Sequence, residues 1–382
     1  MHISTYIYAE ELGDRQGVVN ACSNLGDCYL ETNRLGKAIN LHEQSLETAK
    51  EINDREGEGL EYNNLGICHW MLGDYEQTID FYEQARTIAL SLVEKMGNTA
   101  KERAGDVCQN LGLSYESLGQ FEKAIGLLEQ ARAIVQQIKS DRSWRFEVRS
   151  VGALGRCKTS IGEYAQAITH HTEQWENAQE LNIPDDLVGA ALGQGVSLWA
   201  QARAEHHAAV AGFPLPGTGY TAKYIESLRN AARWLRTASE LADTHRLAQQ
   251  DDALLHLSCV SFDLGEETAA LEALQKFLQN EVESACSQCR GCRQRRGEDA
   301  PMLTCGGCGV AKFCSEKHQR LASRKGDRLR KAVRHKDVCS LLKKWRRVAQ
   351  GKATAESCTP DLLEFLRQDI LWRHLKISCG DT

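Results

Sequence analysis

The chain overlays on itself at an offset of 40 residues. AEELGDRQG (Ala9–Gly17) aligns with AKEINDREG (Ala49–Gly57), and NLGDCYL from Asn24 aligns with NLGICHW from Asn64. The second motif recurs as NLGLSYESLGQFEKAI from Asn110 and ALGRCKTSIGEYAQAI from Ala153. It returns more weakly as ALGQGVSLWA from Ala191, and in its second half only as CVSFDLGEETAAL from Cys259. A period of this size constrains the fold more than any local motif does, because each unit is one supersecondary element that buries its apolar face only against its neighbours. Prolines occur only at Pro184, Pro214, Pro216, Pro301 and Pro360, so long helices can run nearly uninterrupted to Ile183. Each copy predicts a helix A, a Leu-Gly or Ile-Gly turn, and a helix B: Leu72-Gly73 leads to Ile79, Leu118-Gly119 to Ile125, and Ile161-Gly162 to Ile168. Gly66, Gly112 and Gly155 inside helix A would each cost about 1 kcal/mol relative to alanine. Their recurrence predicts close helix packing at those positions.

These motifs resemble the tetratricopeptide repeat, in particular the longer variety of G-protein-signalling modulators and kinesin light chains, over residues 1–281. The resemblance implies an all-α fold, a right-handed superhelical α-solenoid of stacked antiparallel helix pairs with helices A lining a concave face. The sequence opens partway through a helix B, since Ala9 matches Ala49. The fifth copy is split by an insertion near residues 208–222, after which Ile225 and Ala231 match Ile39 and Ser45. In the related modulators a ladder of helix A asparagines grips the backbone of a bound segment, a carboxamide offering both donor and acceptor. By that resemblance Asn24, Asn64 and Asn110 are candidate peptide-binding residues; the alternative is that they bond the neighbouring helix. Asp14-Arg15 and Asp54-Arg55 are expected to form caps or inter-repeat ion pairs. His42, His170 and His171 fall on the helix B surface without a matching nucleophile and read as solvent or groove residues.

Charge divides the chain. The net charge is −6, yet residues 286–350 hold 18 Lys or Arg against 5 Asp or Glu, a local +13 that leaves −19 elsewhere. Seven of the 15 cysteines fall between Cys286 and Cys339, a clustering that argues for metal in a reducing compartment rather than disulfides. No stretch approaches about 18 consecutive apolar residues, and the start lacks a basic head followed by an apolar run. An intracellular protein, cytoplasmic or nuclear, is expected, with no membrane partner.

Four ligand pairs stand in the cluster: Cys289-x2-Cys292, Cys305-x2-Cys308, Cys314-x3-His318 and His335-x3-Cys339. Two residues between cysteines let a tight turn aim both sulfurs at one ion, and positions i and i+4 do the same from a helix face. Eight donors make two tetrahedral sites. Thiolate with imidazole favours Zn²⁺ over Ca²⁺ or Mg²⁺, and with no position left open both zincs are expected to be structural. Cys286-x2-Cys289 could slide the register by three, and spacing allows either sequential or interleaved pairing.

The order of these pairs, with Phe313-Cys314-Ser315, Gln319 after the sixth ligand and a closing His335-Lys336-Asp337-Val338-Cys339, resembles a MYND zinc finger. The resemblance implies that Cys289, Cys292, Cys314 and His318 hold one zinc and Cys305, Cys308, His335 and Cys339 the other. It also makes Gln319 a candidate peptide contact. Three features depart from the family pattern: His318 replaces a cysteine, the segment between Gln319 and His335 is expanded, and Ala332 stands where Trp is usual. The finger is placed at residues 286–342, followed by a basic segment and an amphipathic helix over 343–382.

SRKGDRLRKAVRHK and LLKKWRRVAQGK could instead contact nucleic acid, with Trp345 stacking on a base. The helical spacing of Leu341, Leu342, Trp345 and Val348 favours packing on the zinc core or last repeat. G-x-x-x-x-G-K-[ST], GxSxG and HExxH are absent, and the 43 residues after Cys339 are too few for the SET methyltransferase domain that some MYND fingers accompany. The sequence therefore points to a non-enzymatic adaptor that binds proteins or extended peptides, not small-molecule substrates. A regulatory module whose basic finger region touches nucleic acid while the repeats recruit protein is the alternative.

Overall fold

The computed structural model describes residues 2–138, 141–209, 221–247 and 249–284, together with 303–304, 312–313, 341, 343–345, 347–348 and 353–367. Thirteen helices precede Ala285 among these residues. They are α1 (His2–Leu12), α2 (Arg15–Glu31), α3 (Leu35–Glu51), α4 (Arg55–Leu72), α5 (Tyr75–Met96), α6 (Asn98–Ser117) and α7 (Phe121–Val135). Then follow α8 (Asp141–Ser160), α9 (Tyr164–Glu180), α10 (Pro184–Ala209), α11 (Ala222–Thr244), α12 (Gln250–Asp263) and α13 (Glu267–Ser284). The chain divides into two compact units, Met1–Ser150 and Val151–Thr382. Each is a helical-repeat solenoid in which α2 packs on α3, α4 on α5 and α6 on α7, or α10 on α11 and α12 on α13. No described helix is long and apolar enough to cross a membrane.

Local sequence sets the helix ends. Asp14 and Asp54 each accept a hydrogen bond from the backbone N–H three residues on, Gly17 and Gly57, at 2.9 Å, so they are N-caps of α2 and α4 as expected. Their neighbours form ion pairs, Arg15 with Glu51 across α2 and α3, and Arg55 with Glu58. The A-to-B turn needs one left-handed residue: Gly73, Gly119, Gly162 and Gly265 have φ between 74° and 86°, and Asn33 takes that role at 57° in the first copy.

The glycine within helix A decides how closely each pair packs. A Cβ on Gly26, Gly66, Gly112 or Gly155 would stand 2.5–2.9 Å from a side chain of helix B: His42, Tyr82, Leu128 or His171 respectively. Each of these wedge residues lies 16 positions after its glycine, and each follows by four a fully buried Ala38, Thr78, Ala124 or Ala167. The close packing expected from the recurrent glycines is thus observed.

In the fifth copy the wedge over Gly195 is Leu235, 40 positions on, with the Ala231 carbonyl beside it. The insertion is therefore 24 residues long, and Ala231 corresponds to Ala38. Its match to Ser45 is corrected by seven residues, a shift that preserves the face of a helix and so leaves the apolar pattern almost unchanged. The added chain lengthens both helices. α10 runs 14 residues past Gly195, against five or six in the earlier copies, and α11 begins 13 residues before its wedge, against seven. Asp263 of α12 accepts hydrogen bonds from Trp199 Nε1 at 2.8 Å and from Arg203 at 3.2 Å, fastening the extension to the last repeat.

Beyond the repeats, two short strands, β1 (Leu303–Thr304) and β2 (Lys312–Phe313), pair antiparallel with Leu303 opposite Phe313. Leu341 and Trp345 then join the core of the second unit, with Leu274 and Phe277 of α13. The Trp345 indole N–H donates to Gln279 at 3.4 Å. Helix α14 (Thr359–Arg367) lies against α12 and α13 and buries Leu362 and Leu366, while Asp361 pairs with Lys344 at 2.5 Å. The C-terminal helix thus docks on the last repeat.

Candidate functional site

Within the first unit, α4, α5 and α6 enclose an open pocket of about 340 Å³. Its origin is a length difference. α5 has 22 residues where α3 has 17 and α7 has 15, and the added turn at its C-terminal end carries Leu92 and Met96 into the pocket. Ile88 and Ala89 continue this apolar wall, and Val107 of α6 closes it. Gly59 of α4 lets the helices approach, since a Cβ there would lie 2.9 Å from Ile88. Polar groups gather on the α4 and α6 sides: Asn63 and Asn64, Glu56 paired with Arg103, and Asp106. The result is an apolar hollow rimmed by carboxamides and charges, the usual make-up of a recognition pocket.

Of the three candidate asparagines, Asn64 lines this pocket. Asn110 lies one step away and donates from Nδ2 to Asn63 Oδ1 at 3.2 Å, not to Asn64. Both this bond and the Arg103–Glu56 pair span 47 residues, so α6 meets α4 one residue off the sequence alignment. Asn110 thus does bond the neighbouring helix, and in doing so it fixes the Asn63 amide through its Oδ1. The Asn64 carboxamide has no hydrogen-bond partner among the described residues. Asn24 is exposed on α2 and does not reach the pocket. Sequence reasoning missed Asn63, Leu92 and Met96. The signal was the longer repeat spacing, 46 residues from Gly66 to Gly112 against 40 from Gly26 to Gly66.

The histidines required correction. His42 and His171 are wholly buried, not solvent or groove residues, because each is the wedge that fills the space above a glycine. His42 Nδ1 stands 2.8 Å from Glu61 Oε2, which is also buried, and its Nε2 is 3.8 Å from Asp27. His170 is partly buried beside Glu173 at 3.9 Å. Burial raises the Asp27 carboxyl above its ordinary value, against the pull of His42. Burial likewise pushes the Cys22 thiol up to about 11 and the Cys68 thiol to about 12, with Glu61 adding to both. These thiols are inert packing groups.

The eight candidate zinc ligands, Cys289, Cys292, Cys305, Cys308, Cys314, His318, His335 and Cys339, and Gln319 with them, lie outside the described residues. Among the described residues no group of three or more His, Cys, Asp or Glu is placed to hold a metal ion. Trp345 is only 6% exposed, so the packing that its helical spacing favoured is what the structure shows, and the alternative of stacking on a base is not available to it.

Two tetratricopeptide-repeat family models match the chain, over residues 19–91 and 107–140. No curated protein matches it. Among solved structures it is similar to a signal transduction ATPase with numerous domains, which carries a tetratricopeptide repeat sensor, from Pyrococcus horikoshii. The match has 17% identity and a TM-score of 0.52, and covers 70% of this chain. The chain spans 37% of that protein's length. It is also similar to BtubC from P. vanneervenii, with 14% identity, a TM-score of 0.48, and 71% and 98% of the two chains covered. A Rap protein complexed with competence and sporulation factor matches at 14% identity and a TM-score of 0.46, covering 94% of this chain and 95% of the other. At these identities the likeness concerns the fold, and the chain carries tetratricopeptide repeats.

Proposed function

We propose that this array of tetratricopeptide repeats is a non-enzymatic adaptor of the cytoplasm or nucleus, whose α4–α5–α6 pocket captures an extended segment of a partner protein. The observation that carries the reading is the Asn64 carboxamide, which has no hydrogen-bond partner among the described residues, beside the oriented Asn63 amide on the rim of an apolar hollow. An extended backbone offers alternating carbonyls and N–H groups that carboxamides can pair, while a side chain fills the hollow.

In the same reading residues 286–342 form a MYND-type finger on two structural zincs. Six thiolates and two imidazoles in four pairs are the donor set that Zn²⁺ takes in closed structural sites. Cys289, Cys292, Cys314 and His318 would hold one ion, and Cys305, Cys308, His335 and Cys339 the other. That unit leaves from α13, and the chain returns onto α13 at Leu341 and Trp345.

Peptide display against the full chain, repeated with Asn63→Ala and Asn64→Ala, tests the first part. The expected result is a selected family of peptides whose binding both variants weaken, and selection of none would sink it. Native mass spectrometry tests the second part. Two zincs are expected, with Cys289→Ala and Cys305→Ala each losing one; a parent without zinc would remove the finger from the proposal.

A further inference from the structure

We infer that Asn110 is a positioning residue for capture at the α4–α5–α6 pocket: by holding the Asn63 oxygen it commits that carboxamide to donate, so that Asn63 takes a main-chain carbonyl of the partner segment. This rests on the adaptor reading above and adds the chemistry of one contact and the residue that sets it.

Two contacts join α6 to α4 at the rim. Arg103 pairs with Glu56, and Asn110 Nδ2 donates to Asn63 Oδ1 at 3.2 Å. Glu56 and Asn63 are seven residues apart, as are Arg103 and Asn110, so the two contacts lie along one stripe of each helix. The first contact spends the charges of Glu56 and Arg103 on each other. Asp106, the other charged residue of the lining, is also engaged within the fold. The polar side chains that remain to the lining are Asn63 and Asn64, both uncharged. Recognition at this rim therefore runs through neutral amides, and the group every residue of an extended segment offers to an amide is its main chain.

The second contact gives one of these amides a polarity. A free carboxamide turns about its terminal torsion and presents either its oxygen or its NH₂. Asn64 keeps that freedom, having no hydrogen-bond partner among the described residues. Asn63 does not, because turning it alone would bring its NH₂ against the NH₂ of Asn110. With its oxygen held, the donor that Asn63 has left for a ligand is its NH₂, and the main-chain group that answers a donor is a carbonyl. Replacing Asn110 by Asp reverses the logic: a carboxylate only accepts, so the Asn63 NH₂ turns to it and the Asn63 oxygen faces the ligand.

The test uses the full chain and the tightest peptide selected by display whose binding Asn64→Ala weakens. That peptide is resynthesised with one main-chain carbonyl at a time replaced by a thiocarbonyl, a poorer acceptor. One such replacement should weaken binding about threefold to tenfold, the usual worth of a neutral hydrogen bond, and should lose its effect in Asn63→Ala and in Asn110→Asp. In Asn110→Ala the same replacement should matter less, since Asn63 is then free to turn. Raising salt from about 50 to 500 mM should change the affinity less than about twofold. Asparagine-selective ¹⁵N labelling reads the positioning without a ligand: the Asn63 side-chain NH₂ resonances, identified by their loss in Asn63→Ala, should move in Asn110→Ala and further in Asn110→Asp. Resonances that stay in place in both variants would overturn the positioning role. So would a thiocarbonyl effect that vanishes in Asn63→Ala yet persists in Asn110→Asp, and either result leaves the adaptor reading standing. Affinity that collapses with salt would put recognition on charge and overturn the neutral-amide contact. If display yields no peptide that Asn64→Ala weakens, both readings fall.

Discussion

His42 Nδ1 and Glu61 Oε2 stand 2.8 Å apart with both side chains shut off from water, joining helix α3 to helix α4 of the next repeat. A buried polar group in such a pair costs more to orphan than the pair contributes. Glu61→Ala should therefore lower stability by about 1–3 kcal/mol through the imidazole N–H left behind. Leu128 occupies the same wedge position over Gly112. His42→Leu combined with Glu61→Leu should consequently recover most of that loss. Urea unfolding of the single and double variants measures the coupling, and additive losses would mean that the pair is not energetically linked.

The interior glycines differ sharply in what surrounds them. A Cβ at position 66 would lie 2.5 Å from the Tyr82 ring, whereas at Gly126, on α7, nothing stands within 4 Å. Gly66→Ala should destabilise by about 1–3 kcal/mol from overpacking. Gly126→Ala should stabilise by about 0.5–1 kcal/mol, because alanine is the better helix former and nothing resists it. Thermal denaturation of both variants checks the opposite signs.

Alkaline pH should unlock the first repeats. Cys22 and Cys68 have an ordinary thiol value of 9.0 when exposed and about 11 and 12 in the fold. A raised folded value keeps its stability contribution below pH 9 and loses it as pH climbs toward 11–12, because the unfolded chain releases protons first. Stability should fall across that window. At pH 8 native Cys22 and Cys68 should resist iodoacetamide while the partly exposed Cys28 reacts faster, a difference that peptide mass spectrometry resolves.

Trp345 fastens the returning chain to α13. Trp345→Ala should cost about 3–5 kcal/mol in the second unit, the usual loss for a buried tryptophan. Amide hydrogen exchange in α13 and α14 should quicken, with α2–α5 unaffected. Uniform protection throughout would show that the contact contributes little.

Much of this was legible beforehand because the determinants are local and recurrent. Asp14 and Asp54 announce helix starts, Gly73, Gly119 and Gly162 announce turns, and Gly66, Gly112 and Gly155 announce close packing, each by a residue type whose backbone chemistry permits little else. The apolar spacing around Trp345 announced packing. The histidines were misread because an imidazole is amphipathic. Nothing in the residues around His42 shows that Gly26 leaves a hollow for it, or that Glu61, 19 positions away, will meet it there.

The 40-residue period by itself determined the helix pairs, their order and their all-α class, since each determinant acts within one or two turns of chain. Tertiary structure alone decided the pocket. Its walls come from three helices, its rim depends on α6 meeting α4 one residue out of alignment, and its depth depends on where the added turn of α5 is accommodated. Such a hollow is a property of how helices are spaced, and spacing is set by side chains distant in sequence meeting across an interface.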